Sequence, residues 1–128
     1  MVAAVLDASA VLAFVKQEPG ADEVLPYIGR AAISAVNLQE VVKELTLDDV
    51  PPDAIRAILA ELRLDVRPHD ESAAYASGAL VTATRRYGRG LGDRTCMALG
   101  MQVGVPVLTA DREWKRVELE GLDLRHIR

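Results

Sequence analysis

Four carboxylates in this chain each lie close to the end of an apolar segment, where a strand would give way to a turn or helix. They are Asp7 in AAVLDAS, Glu40 in SAVNLQEVV, Asp93 in GLGDRTCMALG and Asp111 in PVLTADREW. In a parallel α/β sheet, the carboxyl ends of the strands line one crevice, so acids far apart in sequence can converge there. Converging carboxylates repel unless a hard cation such as Mg²⁺ or Mn²⁺ neutralises them. The pattern therefore predicts a metal-assisted site of the kind that cleaves phosphodiesters.

Each acid taken alone also has a structural explanation. An Asp before a helix is a favoured cap, and an acid in the first turn suits the helix dipole. Two positions resist that explanation. Asp7 follows a wholly apolar strand, and Glu40 lies inside a predicted helix, past any cap position and close to apolar Val36. A partly buried carboxylate needs a partner or a metal, or else it becomes protonated.

Short apolar runs alternate with helical patterns along the whole chain. Strands are predicted at residues 2–6, 31–33, 64–66, 105–108 and about 122–124. Helices are predicted from a Ser9 cap to Lys16, at 21–28 with Pro26 weakening it, and from a Ser34 cap past Glu40 to Leu45. Further helices are predicted from 51–53 to Leu62, from an Asp70 cap to about residue 87, from near Asp93 to Val103, and briefly after Asp111. This alternation predicts a single three-layer α/β/α domain over residues 1–128, with a central parallel sheet.

The composition is that of one globular domain. The chain has 128 residues, half of them hydrophobic, and its apolar runs are too short and too often interrupted for a transmembrane helix. No secretory signal is visible, and the single cysteine, Cys96, cannot form an intrachain disulfide. We therefore expect a cytoplasmic protein without membrane contact, in which Cys96 is a packed thiol.

Basic residues flank two of the four acids, although the formal net charge is −4. That net charge argues against coating nucleic acid by bulk electrostatics. The flanking residues are Arg85, Arg86, Arg89 and Arg94 around Asp93, with Lys115 and Arg116 after Asp111. They have two interpretations, solvated helix ends or contacts to the phosphates of a polyanion, and the sequence leaves both open. His69 and His126 are predicted to be exposed and uninvolved.

Taken together, the motifs LDAS, SAVNLQEV, GDR and TADREW resemble, in order and spacing, the PIN-domain nucleases. The closest resemblance is to the VapC-type toxins of toxin–antitoxin pairs, and it runs from Val5 to about Trp114. It implies a sheet with strand order 3-2-1-4-5 and an endoribonuclease that depends on Mg²⁺ or Mn²⁺. It also implies a homodimer and a cognate antitoxin protein.

The resemblance assigns roles to particular residues. Asp7, Glu40, Asp93 and Asp111 would form the catalytic site, and Asp7, Asp93 and Asp111 would hold the metal. The polar residues that orient these acids or a metal-bound water would be Ser9, Asn37 and Thr109. The chain departs from the family pattern at Gln39, where a smaller residue is expected, and in the short segment 46–53.

An antitoxin could insert an arginine or lysine among the carboxylates, because a guanidinium pairs well with them and can stand in for a metal. The rest of its helix would need an apolar groove. Two sets of residues are candidates to line it: Leu38, Val41 and Val42, or Ile55, Ile58 and Leu59.

Three alternatives to a nuclease use similar residues. A haloacid-dehalogenase-like phosphatase needs a second acid two residues after the first, where this chain has Ser9. A receiver-type signalling module needs adjacent acids after the first strand and a lysine after the last core strand, where Asp111 stands. A catalytically inactive PIN-like binding module would keep the fold without the reaction, but the four intact acids argue against it.

Overall fold

The computed structural model describes residues 1–87 and 90–128 and centres on one five-stranded parallel sheet. The strands are β1 (Ala4–Leu6), β2 (Ala31–Ser34), β3 (Asp65–Arg67), β4 (Val107–Thr109) and β5 (Leu124–His126). Their order is β3-β2-β1-β4-β5, and all four neighbouring pairs are parallel. The predicted fold class and strand order are therefore confirmed.

Six α-helices connect and cover these strands within the described residues. They are α1 (Ala8–Val15), α2 (Ala21–Val24), α3 (Ala35–Leu47), α4 (Pro52–Leu62), α5 (Glu71–Gly78) and α6 (Leu91–Val103). Three 3₁₀ turns, Leu25–Tyr27, Ala79–Thr82 and Arg112–Arg116, complete the regular structure. The helices are short and linked to short strands, as expected of a small parallel α/β domain.

The sheet is buried on both faces because successive side chains of a strand point in opposite directions. On one face, Leu6, Ile33 and Leu108 pack against residues of α1 to α4. On the other, Val5 and Val107 pack against Cys96, Met97 and Trp114. The central strands are therefore apolar throughout, which is why the sequence shows runs instead of an alternating pattern.

Several predicted element boundaries are wrong. Asp7, not Ser9, caps α1, since its Oδ1 accepts a hydrogen bond from Ala10 N at 2.9 Å. The helix predicted at 21–28 ends at Val24, and a 3₁₀ turn containing Pro26 follows, because proline cannot donate the next helical hydrogen bond. The long helix after the Asp70 cap ends at Gly78, a residue of low helix propensity. The last strand lies two residues later than predicted, at Leu124–His126.

Among residues 1–87 and 90–128, no helix is long and apolar enough to span a membrane.

Helix α6 lies close against β4, and Gly100 makes this approach possible. A Cβ added at Gly100 would clash with the Val107 side chain. We predict that Gly100→Ala lowers the free energy of unfolding by about 1–3 kcal/mol, since overpacking displaces backbone or forces poor rotamers. Gly78→Ala is the matched control, because nothing lies within 4 Å of its added Cβ and its φ is −62°. Urea unfolding checks both variants, and equal stability of Gly100→Ala and Gly78→Ala would contradict the prediction.

Candidate functional site

Asp7 lies at the end of β1, where its side chain is almost fully buried and firmly held. Asp7 is only 5 % exposed to solvent. Oδ1 accepts hydrogen bonds from Ser9 Oγ at 2.6 Å and Ala10 N at 2.9 Å, and Oδ2 accepts one from Thr109 Oγ1 at 2.8 Å. These bonds satisfy a carboxylate that would otherwise be costly to bury. They also fix its orientation at the carboxyl edge of the sheet.

The hydroxyls of Ser9 and Thr109 tie Asp7 to the loop after β4. Thr109 Oγ1 accepts a hydrogen bond from Asp111 N at 3.0 Å, and Ser9 Oγ accepts one from Ala110 N at 2.8 Å. Asp111 Oδ1 in turn accepts from Glu113 N at 3.0 Å and so caps the following 3₁₀ turn. Ser9 and Thr109 therefore connect Asp7 to the loop that carries Asp111.

Glu40 projects from α3 and is held by Asn37, one turn earlier. Asn37 Nδ2 donates to Glu40 Oε1 at 2.8 Å and to the carbonyl of Gly92 at 3.0 Å. Asn37 is 2 % exposed, so this link between α3 and the start of α6 is buried. A Cβ on Gly92 would clash with the Glu40 carboxylate. The glycine before Asp93 therefore allows the two acids to approach.

Asp93 is the third residue of α6 and belongs to its capping box. Its Oδ2 accepts a hydrogen bond from Gly90 N at 3.2 Å. The helix-cap explanation of the sequence therefore holds for Asp7, Asp93 and Asp111, each of which caps a helix or 3₁₀ turn. It does not hold for Glu40, which lies six positions inside α3.

The acids share one electrostatic environment in addition to these capping roles. Burial, opposed by its hydrogen bonds and assisted by the charge of Asp93, raises the pKa of Asp7 to about 6. Burial, together with the charges of Asp111, Glu40 and Glu113, raises the pKa of Asp93. The buried Cys96 thiol also has a raised pKa, through burial first and then the charges of Asp7, Asp93 and Glu40. Asp93 therefore interacts electrostatically with each of the other three sequence-identified carboxylates, and we refer to these four residues as the carboxylate cluster.

The donor chemistry of this cluster fits a hard cation. Glu40, Asp93 and Asp111 each accept hydrogen bonds from the described residues through one oxygen, which leaves a second oxygen for another ligand. Within residues 1–87 and 90–128, no three acidic, histidine or cysteine side chains are grouped closely enough to hold a metal directly. Mg²⁺ often binds through one or two carboxylates and keeps several waters, so two direct protein ligands would suffice. Direct binding by the trio Asp7, Asp93 and Asp111 stays a prediction.

Two residues near the acids were missed by the sequence reasoning. The Glu113 N–H donates to the capping side chain of Asp111, and the Glu113 carboxylate adds negative charge near Asp93. Its position two residues after Asp111 was the available signal. His126 was expected to be exposed, but it is half-buried on β5, and its ring contacts the backbone of Asp111. Burial and the charge of Lys115 lower the pKa of His126. Cys96 is buried, as predicted.

Among the basic residues named from the sequence, Arg116 makes a side-chain contact with Tyr87. The Arg116 guanidinium lies 5.6 Å from the centre of the Tyr87 ring and donates to the Tyr87 hydroxyl at 3.2 Å. This contact sets the segment that carries Arg85 and Arg86 beside the turn that carries Lys115 and Arg116. The exposed members of the set are Arg85, Arg86, Lys115 and Arg116; Arg94 is half-buried at the start of α6, and Arg89 lies outside the described residues.

An apolar groove runs between α3 and α4, with a volume of about 540 Å³. Leu38, Val42, Ile55 and Leu59 line it, as the sequence suggested, and Arg56 also contributes to the lining. Two other predicted lining residues do not contribute. Val41 is fully buried in the core, and Ile58 lies outside the lining.

Comparisons with known proteins agree with the sequence motifs. The family model for the PIN domain matches residues 4–119. A search of curated proteins finds no match. Solved structures with the same fold include a DNA-bound VapBC from Salmonella typhimurium, at 22 % identity and a TM-score of 0.68, with all of both chains covered. A toxin–antitoxin complex from Klebsiella pneumoniae aligns at 17 % identity and a TM-score of 0.71, covering 94 % of this chain and 95 % of the other.

A VapBC-family toxin–antitoxin complex from Mycobacterium tuberculosis aligns at 25 % identity and a TM-score of 0.64. The alignment covers 98 % of this chain and 99 % of that one. These alignments run nearly end to end on both sides, so the similarity is to a whole domain.

The raised pKa of Asp7 gives a pH-dependent stability. Because the folded value of about 6 exceeds the ordinary 3.8, the folded state keeps a proton that the unfolded chain has lost between these values. Wild-type stability should therefore fall as pH rises through this interval. We predict that Asp7→Asn gains about 2 kcal/mol over wild type between pH 4.5 and 7.5. Urea unfolding at both pH values measures the change, with exposed Asp53→Asn as control. A pH-independent difference would contradict it.

Proposed function

Since this chain belongs to the PIN-domain family, we propose that it is a metal-dependent endoribonuclease and the VapC-type toxin of a toxin–antitoxin pair. One observation carries the proposal. Asp7, Glu40, Asp93 and Asp111 come from four different segments, yet Asp93 interacts electrostatically with each of the other three, and burial together with these charges raises the pKa values of Asp7 and Asp93. A cluster of this kind is unfavourable for stability alone and is suited to a divalent cation.

Asp7, Asp93 and Asp111 are the proposed holders of Mg²⁺ or Mn²⁺, directly or through water. When bound, the cation would offset the charge on the attacked phosphate and lower the pKa of a water molecule for hydrolysis. Ser9 and Thr109 keep Asp7 in one orientation for this role.

Glu40 is the proposed proton acceptor. Asn37 occupies its Oε1, and Oε2 accepts no hydrogen bond from the described residues, so Oε2 is available to take a proton from an attacking water. The buried Asn37 bond fixes the side chain, which reduces the reorganisation needed during the reaction.

RNA is the proposed substrate, and the exposed Arg85, Arg86, Lys115 and Arg116 would contact its phosphates. The cluster itself repels polyanions, so cations beside it are needed to hold a nucleic acid there. Arg94 stays a candidate contact. Both RNA as the substrate class and a cytoplasmic site of action are proposed because they follow from the proposed toxin role.

A cognate antitoxin is the proposed protein partner, and the complexes that align with this chain are toxin–antitoxin pairs. The groove between α3 and α4 would receive an apolar helix of the antitoxin, and an antitoxin arginine would enter the carboxylate cluster. A homodimer is proposed on the same family resemblance.

A catalytically inactive PIN-like binding module is the second candidate. The observation in its favour is that three of the four acids serve as caps and that no three lie together at metal-binding distance in the described part of the chain. Binding of RNA without any cleavage in added Mn²⁺ would favour this candidate. The phosphatase alternative is not retained, because Ser9 stands where that reaction requires an acid.

Asp93→Asn tests the proposed reaction. The amide keeps the size of the side chain and an oxygen that can still accept from Gly90 N, but it removes the charge. We predict that metal-dependent RNA cleavage falls by on the order of 10²–10⁴, while unfolding remains cooperative. Gel analysis of a labelled RNA measures the rate, and Asp53→Asn, an exposed acid in the first turn of α4, should cleave like wild type. Near-normal cleavage by Asp93→Asn would remove the nuclease mechanism.

The proposed antitoxin contact can be tested with a peptide from the tail of the protein encoded by the neighbouring gene. We predict that it inhibits cleavage and weakens metal binding, and that changing its arginine to alanine relieves both effects. Val42→Asp should weaken binding of the peptide about tenfold or more without slowing RNA cleavage. Leu47→Asp, on the same helix at 69 % exposure and outside the groove, is the control. Inhibition that ignores both the arginine and the metal concentration would contradict entry of the arginine into the cluster.

A further inference from the structure

A polar cavity of about 170 Å³ lies between α5 and α6, at the edge of the sheet where Asp7 follows β1. Ser34, the last residue of β2, and Arg67, the last residue of β3, form its wall at the carboxyl edge of the sheet. Helix α6 contributes Thr95 to the opposite wall. None of these residues has a role in the proposed cleavage chemistry.

The cavity and the acids share two supporting helices. Helix α3 starts directly after Ser34 and carries Asn37 and Glu40 within its first two turns. Helix α6 carries Asp93 on its first turn and Thr95 two positions later. Because parallel β1 and β2 pair with Ala4 opposite Ala31, Asp7 and Ser34 lie at the same level of neighbouring strands, which are about 5 Å apart. An RNA with one phosphate at the carboxylates would therefore have its adjacent nucleoside near this cavity.

The lining combines small apolar walls with hydrogen-bonding groups. Ala73, Ala76 and Ala98 leave the space open, and Gln102 adds an amide. Ser77 is 7 % exposed, and its Oγ has no hydrogen-bond partner among the described residues. A buried hydroxyl without a partner costs free energy unless a ligand or water completes its bonds.

Arg67 offers a flat surface at the edge of the cavity. Its Nε and one terminal nitrogen donate to the same oxygen of Asp65, at 3.1 Å and 3.0 Å. The pairing restrains the guanidinium plane and leaves its faces unused by these bonds. Proteins commonly stack unpaired RNA bases on such planes and on imidazole rings, and His69 lies two residues further in the same lining.

We propose that this cavity takes one nucleobase of the RNA, next to the cleaved phosphate, and so sets the sequence preference of the enzyme. The proposal rests on the proposed nuclease function. The volume is below the roughly 300–1,000 Å³ of sites for drug-sized molecules, which suits a single ring system. The mixture of apolar walls and hydrogen-bonding groups matches the faces and the edge of a base.

The test fills the cavity from an exposed position. Ala76→Phe on α5 places a ring in the cavity, and Ala74→Phe places the same ring on the same helix outside it. Gln102→Leu keeps a similar size but removes the amide. Two measurements apply to each variant: cleavage-site preference on a randomised RNA pool, and binding of the four nucleoside 5′-monophosphates to the metal-free Asp93→Asn protein by NMR.

With Ala76→Phe, we expect monophosphate binding to be on the order of tenfold weaker and the base preference beside the cleaved bond to be reduced. Ala74→Phe should leave both unchanged relative to the parent protein of each assay. Gln102→Leu should change which base is preferred. Identical cleavage patterns and identical monophosphate binding for Ala76→Phe and Ala74→Phe would overturn the proposal and leave the nuclease standing. If the wild-type chain cleaves no RNA, the nuclease function fails, and the binding measurement alone decides whether the cavity takes a base.

Discussion

The burial of Asp7 at an edge of the sheet that also carries other carboxylates is the constraint on which the rest of the structure depends. Asp7 is almost fully removed from water, and its pKa rises to about 6, so its charged form is costly in the folded chain. The cost is limited by hydrogen bonds from Ser9, Ala10 and Thr109. Asp7, Asp93 and Asp111 also cap helices or turns, and these capping hydrogen bonds offset part of the cost of placing the acids here. The same side chains therefore stabilise local structure and concentrate negative charge, and a bound cation would relieve what remains.

The surrounding fold is built to permit that concentration. The central strands are short and apolar on both faces, so the polar residues that follow them emerge together at the carboxyl edge. Gly92 removes a side chain where Glu40 approaches the start of α6, and Asn37 bonds to both elements. A buried amide with two acceptors in reach connects α3 to α6 more precisely than apolar packing could. These features place acids from distant parts of the sequence in one cluster.

The sequence predicted the parallel sheet and its four acids because both depend on strong local patterns. Apolar runs marked the strands, and the family motifs supplied the strand order. The Ser34 and Asp70 caps were also predicted correctly, since capping depends on a few neighbouring residues. The helix cap was assigned to Ser9 although Asp7 occupies the capping position. The Ser9 hydroxyl instead donates to Asp7 and accepts from Ala110 N, a contact that depends on the distant loop after β4. His126 was misjudged for the same reason, as its burial depends on the distant loop of Asp111.

The most direct test of metal binding at the carboxylates is the effect of Mg²⁺ on the melting temperatures of wild type and Asp7→Asn. A cation that binds the folded state relieves the repulsion among the carboxylates and raises the melting temperature by mass action. We predict that Asp7→Asn melts higher than wild type without metal at neutral pH and responds little to Mg²⁺, whereas wild type and Asp53→Asn respond strongly. Equal metal-induced shifts in wild type and Asp7→Asn would place the cation elsewhere and contradict a metal site at Asp7.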